Sequence, residues 1–258
     1  MLGKLFGPLH ALTMYWSTAI RGDRGFEPCP ALQFTDEEDE SIIRMVQPYT
    51  MTSPDRIRAL CSSVRYVEKA GITGAIVECG VWRGGSMMAV AHTLMSRGVA
   101  NRDLYLFDTF EGMTEPGPYD ISLHGESAEA SLRRSARTED DRMWCYAPIE
   151  RVEKALSLTN YPSQFIHFIP GRVEDTLTSS APERIAILRL DTDWYESTKH
   201  ELEVLFPRLC QGGVLIIDDY GHWQGARRAV DEYMNRNKIA MHLHDIDYTG
   251  RIGMKAFA

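Results

Sequence analysis

The stretch Ile185–Tyr220, IAILRLDTDWYESTKHELEVLFPRLCQGGVLIIDDY, decides how this chain is read. Ile185–Leu190 and Val214–Ile217 are short apolar runs, each ending in carboxylates, and a segment with helical patterning lies between them from about Tyr195 to Leu209. A continuous apolar run too short for a helix and bounded by turn residues reads as a strand buried on both faces. Strand, helix, Gly212-Gly213 and strand then make a βαβ unit with parallel strands. Asp191 and Asp193 fall at the carboxyl tip of the first strand, and Asp218 and Asp219 at the same tip of the second. In an open α/β sheet, ligands bind beyond that edge. Four carboxylates at one mouth repel one another unless a cation or a proton joins them. One strand-end Asp would be an ordinary solvated cap. Two clusters on neighbouring strands point to a divalent metal, and an oxygen-only set without Cys or His favours magnesium over zinc.

Working outward, the 258 residues are 44% hydrophobic and 25% charged, enough for one sizeable core. A single domain over 1–258 is expected, with a helical N-terminal extension over 1–70, a Rossmann-like core over 71–258 and a lid over 111–148. The net charge of −8 makes a nucleic-acid backbone a poor partner. Five cysteines without paired spacing suggest reduced thiols in a cytoplasmic protein, with Cys61 and Cys79 in buried settings. Leu2–Ile20 is apolar but interrupted by Pro8, His10, Ser17 and Thr18. It reads as an accessory helix packed on the domain or on another subunit of a homo-oligomer, rather than as a signal peptide or a membrane span.

Upstream of the deciding stretch, Thr35–Val46 reads as a helix, and Ser53-Pro54 caps another whose apolar face is Ile57, Leu60, Cys61, Val64 and Val67. Ala75–Cys79 is the first buried strand and runs into Glu78-Cys79-Gly80-Val81-Trp82-Arg83-Gly84-Gly85-Ser86. The dehydrogenase pattern G-x-G-x-x-G is absent; here an acid at the strand end precedes a glycine turn that lets backbone approach a ligand closely. Leu104–Phe107 is the second strand, and Asp108 at its tip is placed to accept hydrogen bonds from ribose hydroxyls. Glu111–Pro148 is a long excursion with the aromatic run Trp144-Cys145-Tyr146, read as a substrate lid, and His124 within it is a candidate to face the site. Asp175, beyond a third strand over Phe165–Ile169, suits either an adenine amino group or a helix N-terminus. Ala240–Ile246 and Arg251–Phe257 read as a terminal antiparallel hairpin.

With these residues in hand, the chain resembles the macrocin O-methyltransferase family, the sugar methyltransferases of antibiotic pathways. The segments that carry the resemblance are Thr50-Met51, Val77–Gly85 (VECGVWRGG), Asp108–Gly112 (DTFEG), Pro170–Thr176 (PGRVEDT), Ala181–Thr198 and Gly212–Tyr220. The resemblance implies a class I fold, S-adenosylmethionine, magnesium and a sugar hydroxyl of a glycoside as methyl acceptor. Carried over by position, Asp191, Asp218 and Asp219 match the metal ligands, and Asp191 also matches the base. Met51, Glu78, Gly80, Trp82, Gly84, Ser86, Asp108, Thr109 and Asp175 become the expected cofactor-binding residues. His222, just beyond the metal pair, is the second candidate base. Catechol O-methyltransferases carry a lysine base three residues after the first Asp; Trp194 stands there in this chain, against a catechol acceptor.

Two rival readings use the same residues. A metal-dependent hydrolase or nucleotide-sugar enzyme would use the aspartates but would not need the Glu78–Gly85 turn together with Asp108. A binding protein would keep the cofactor pocket without turnover, and the intact carboxylate set argues against it.

Overall fold

The structure is a computed structural model and describes residues 36–256. The accessory helix expected within Leu2–Ile20, and Cys29, lie outside the described residues. Helices α1 (Asp36–Val46) and α2 (Pro54–Lys69) come first. Ser53 caps α2, accepting the Arg56 N–H at 3.2 Å, and Pro54 fills the first position, where no N–H is required. The apolar face expected of α2 is the buried one: Ile57, Leu60, Cys61, Val64 and Val67. Each large side chain so buried contributes about 1.5–3 kcal/mol relative to exposure.

The alternation β1 (Ala75–Cys79), α3 (Gly85–Ser96), β2 (Leu104–Asp108), α4 (Ala128–Arg134), α5 (Ile149–Ser157), β3 (Ile166–Pro170), α6 (Val173–Ser180), β4 (Ile185–Leu190), α7 (Tyr195–Leu205), β5 (Leu209–Ile217), α8 (Gln224–Arg236) builds one sheet, which β6 (His244–Asp245) and β7 (Arg251–Met254) complete. The strand order is β3-β2-β1-β4-β5-β7-β6; β1 to β5 are parallel and the last two are antiparallel. This is the expected sheet, with its topological switch point between β1 and β4. One face packs on α1, α2, α3 and α5 through Ile76, Ile187 and Ile216. The other packs on α6, α7 and α8 through Val77, Leu188 and Leu215. Strands β1 and β4 are buried at every position, as continuous apolar runs require.

Three boundaries differ from expectation. The helix after β4 stops at Leu205, because Pro207 has no N–H to donate and disfavours helical backbone before it; a short turn over Phe206–Arg208 follows. Leu209 is therefore strand, paired with Ile185, and β5 passes through Gly212 and Gly213 with a register shift opposite Ile185 and Ile187. A Cβ on Gly213 would lie 2.8 Å from the Cys210 carbonyl oxygen, so the bulge needs glycine there. The terminal hairpin is shorter than the sequence alternation, with only His244 and Asp245 in β6, a blunt outer edge. Among the described residues no helix is long and apolar enough to cross a membrane.

Candidate active site

The carboxyl ends of β1, β4 and β5 are held in register past the last strand residue. Asp191 N–H donates to Cys79 O at 2.8 Å, Asp218 N–H to Leu190 O at 2.9 Å, and Gly80 N–H to Phe107 O at 2.9 Å. Gly80 has φ 82°, and a Cβ there would collide with the Asp191 carbonyl. The turns after β1 and β4 thus meet at the switch point because position 80 lacks a side chain. Gly85 does the same for the loop before α2: its Cβ would lie 2.7 Å from Thr50 and the Tyr49 backbone. A cavity of about 300 Å³ opens over these turns.

Most of the expected residues line this cavity: Met51, Gly80, Trp82, Ser86, Asp108, Thr109, Asp191, Asp218, Asp219 and His222. Asp108 is tied to the β1 turn, its Oδ2 accepting the N–H of Val81 at 2.6 Å and of Trp82 at 3.0 Å, and its Oδ1 that of Phe110 at 2.7 Å. Burial pushes its carboxyl up, and those three N–H groups pull against it. Trp82 takes φ 47°, and its buried indole Nε1 has no partner.

Three expected residues sit elsewhere. Asp175 is exposed on α6 and does not line the cavity; its neighbour Glu174 does. Helical phase decides this: the chain enters α6 at Val173, and only one of two adjacent acids can face inward. Glu78 is 1% exposed, does not line the cavity and is ion-paired with Arg189. Gly84 begins α3 with φ 88° and makes room for Leu156 of α5 rather than for a ligand.

In the same cavity, Asp191, Asp218 and Asp219 each present a ligand atom, all within 4.8 Å of one another. Asp219 Oδ2 is buried and has no partner. Asp193, at φ 66°, lines the cavity with them. Burial, followed by the charge of Asp191, pushes the Asp193 carboxyl up to about 7. Burial and the neighbouring Asp193 and Asp218 push Asp219 well above the carboxylate range. Burial raises Asp191 strongly, Arg189 opposes the rise, and Asp218 and Asp219 add to it. An orphaned carboxylate oxygen within reach of two others fits a hard divalent cation.

Two arginines that sequence reasoning missed answer part of the repulsion. Arg189 Nη1 donates to Asp191 Oδ2 at 2.7 Å and to Glu78, while Nη2 donates to Asp218 Oδ1 at 2.5 Å and Thr52 Oγ1 at 2.9 Å. Arg56, from the first turn of α2, takes the other oxygen of Asp218 and reaches Asp247 Oδ2 at 2.9 Å. Both oxygens of Asp218 are therefore engaged, which leaves Asp191, Asp193 and Asp219 as the less compensated group. The signal for Arg189 was present as a lone charge inside the apolar run Ile185–Leu190. His222 contacts Tyr248, its Nδ1 3.3 Å from the hydroxyl, and burial together with nearby His124 lowers its pKa, keeping the ring neutral.

The excursion over 111–148 forms one wall, with Gly112, Met113, Thr114, Arg142, Met143 and Cys145 on the cavity. It carries its own small core, in which Ala128 and Leu132 pack with Trp194, Trp223 and Ala226. Buried Asp120 fastens it to α7, accepting the Tyr195 N–H at 2.8 Å, and also accepts that of Gly117, within the wall, at 2.6 Å.

A parallel sheet of this order with an antiparallel end, a glycine turn after β1 and an acid at the tip of β2 defines a class I methyltransferase, and the chain is an O-methyltransferase of that class. Residues 35–253 match the Macrocin-O-methyltransferase (TylF) family, and the chain belongs to it. Among its relatives is the 8-demethyl-8-(2,3-dimethoxy-alpha-L-rhamnosyl)-tetracenomycin-C 4'-O-methyltransferase of Streptomyces olivaceus, 35% identical over 78% of this chain and 74% of the relative. The demethyldecarbamoylnovobiocin O-methyltransferase of Streptomyces niveus is 31% identical over 78% of this chain and 74% of its own length. The solved structure of the O-methyltransferase NovP matches with a TM-score of 0.70 at 29% identity, covering 81% of this chain and 83% of that one. Family membership sets the hydrolase reading aside, and the fold implies S-adenosylmethionine as methyl donor.

Proposed function

We propose that this chain methylates a hydroxyl on the sugar of a glycoside, with magnesium held by Asp191, Asp218 and Asp219. The observation that carries the reading is that the carboxylate trio lines the same cavity as the glycine turn and Asp108. The rhamnosyl acceptor named for a 35% identical relative supports the sugar.

S-adenosylmethionine, when bound, supplies an electrophilic sulfonium methyl. Gly80 and Gly85 let the Asp191 turn and the Thr50 loop close on the turn that faces it, Asp108 accepts from the ribose with lone pairs left over from its three N–H bonds, and Glu174, in place of Asp175, receives the adenine amino group. A magnesium ion, when bound, supplies Lewis-acid polarisation of an acceptor hydroxyl. Asp191 receives the hydroxyl proton on an oxygen that Arg189 does not occupy. His222 is the second candidate base, because its neutral ring lines the same cavity. Met113, Met143 and Trp223 exclude water from the reacting atoms, and the wall over 111–148 acts as the lid.

The test is transfer of labelled methyl from S-adenosylmethionine to a panel of L-rhamnosyl glycosides, with and without chelator. Transfer that needs added magnesium supports the reading. Tight S-adenosylhomocysteine binding with no transfer to any glycoside would favour a different acceptor class or a non-catalytic binding protein.

A further inference from the structure

Arg189 is the one charged residue in β4 and is 3% exposed. It stands in register between Glu78 of β1 and Ile216 of β5, on the sheet face that Ile76 and Ile187 share with α2. From there a single guanidinium holds four groups from four chain segments: Glu78 at the end of β1, Thr52 in the loop before α2, Asp191 after β4 and Asp218 after β5. Asp191 and Asp218 belong to the carboxylate trio. Glu78 leads into the glycine turn, and Thr52 lines the cavity beside Met51. A planar fork of five donors can bridge such a set; an ammonium, a compact point charge, cannot span it in the same way.

We propose that Arg189 is a positioning residue that couples the carboxylate trio to the part of the cavity formed by the glycine turn and the loop before α2. It fixes Asp191 and Asp218 for a divalent cation and, through Glu78 and Thr52, links their placement to that of the methyl-donor site. The inference rests on the donor and metal assignments proposed above. A role confined to charge neutralisation would make Arg189 a matter of stability alone. A coupling role makes each ligand change the affinity for the other, by the same factor in both directions.

The experiment is calorimetry on the full chain, titrating S-adenosylhomocysteine with and without magnesium chloride, and magnesium chloride with and without S-adenosylhomocysteine. In the wild type each ligand should tighten the other by about fivefold or more. Arg189→Lys keeps the charge and loses the four-way bridge. It should weaken magnesium binding by about 10–100-fold, the usual effect of removing a group that orients metal ligands, and bring the coupling factor close to one. Thr52→Val leaves the carboxylate bonds in place. It should lower the coupling while holding magnesium affinity within about twofold, and it decides the matter alone if Arg189→Lys does not fold. A folded Arg189→Lys with wild-type magnesium affinity and intact coupling overturns the proposal, as does a wild type that binds both ligands independently, or a Thr52→Val that retains full coupling. A wild type that binds neither ligand instead overturns the donor and metal reading.

Discussion

Asp108 Oδ2 accepts the backbone N–H of Val81 at 2.6 Å, so the acid at the tip of β2 shapes the turn after β1 as well as facing the cavity. Its three backbone donors leave lone pairs for a ribose, and the two tasks predict a double effect. Asp108→Ala should weaken S-adenosylhomocysteine binding by about 1.5–3 kcal/mol and should also lower the melting temperature without ligand. Asp108→Asn keeps one acceptor oxygen and should fall between. Calorimetry and thermal melts check this. Wild-type affinity in a folded Asp108→Ala would leave the residue as a turn brace only.

The approach of the β1 and β4 turns predicts a cost at Gly80 with two separable parts. Gly80 has φ 82° and no room for a Cβ, whereas Gly98 has φ 70° and open space around it. Gly98→Ala should cost only backbone strain, of order 1 kcal/mol. Gly80→Ala should cost that plus the collision with Asp191, a further ~1–3 kcal/mol, and should disturb magnesium binding. Urea denaturation of both variants provides the comparison; equal losses would mean that the turns are free to separate.

The architecture was legible in the sequence because parallel strands buried on both faces appear as uninterrupted apolar runs, and because βαβ connectivity puts their tips on one edge. The four strand-tip carboxylates Asp191, Asp193, Asp218 and Asp219 were legible for the same reason, and the family resemblance singled out Asp191, Asp218 and Asp219 among them. The compensating cations were not. Arg189 sits inside an apolar run, where its burial hides its partners, and Arg56 reaches Asp218 from a helix 162 residues away in sequence. Glu174 and Asp175 are adjacent acids, and choosing between them needs the phase with which α6 leaves β3. Glu78 was expected among the cofactor-binding residues, but as a buried strand residue in register with Arg189 it is ion-paired with that arginine and does not line the cavity.

The buried carboxyl of Asp120 predicts how the wall over 111–148 is held. Asp120 is 1% exposed; the Tyr195 N–H it accepts joins that wall to the start of α7, and the Gly117 N–H closes a turn within the wall. The exposed residues Arg133, Arg134, Arg137 and Arg142 offer trypsin sites. Asp120→Ala should speed cutting at these sites in the free protein, and S-adenosylhomocysteine with magnesium should slow it in the wild type. If ligands leave the wild-type rate unchanged, the wall is fixed and does not act as a lid.

The acidic cluster in the cavity predicts how the proposed metal binding would depend on pH. In the folded protein, burial and Asp191 push the Asp193 carboxyl up to about 7, and Asp219 beside it is raised as well. An unfolded Asp titrates near 3.9, so through the interval between the two values the folded state holds more protons than the unfolded state. Stability of the metal-free protein from these groups is therefore present at low pH and lost as pH rises toward 7 and beyond. A divalent cation bound there would take the place of the proton, and its binding would release it. Magnesium should raise the melting temperature more at about pH 8 than at about pH 6. Asp193→Asn removes one titrating carboxyl. It should make the metal-free protein more stable at the higher pH and flatten the pH dependence of the magnesium effect, while Asp219→Asn should abolish the effect. Melting curves at the two pH values, with and without magnesium chloride, measure all of this. A magnesium shift equal at both would show that the cation does not displace a proton from this cluster, and the carboxylates would then be compensated by Arg56 and Arg189 alone.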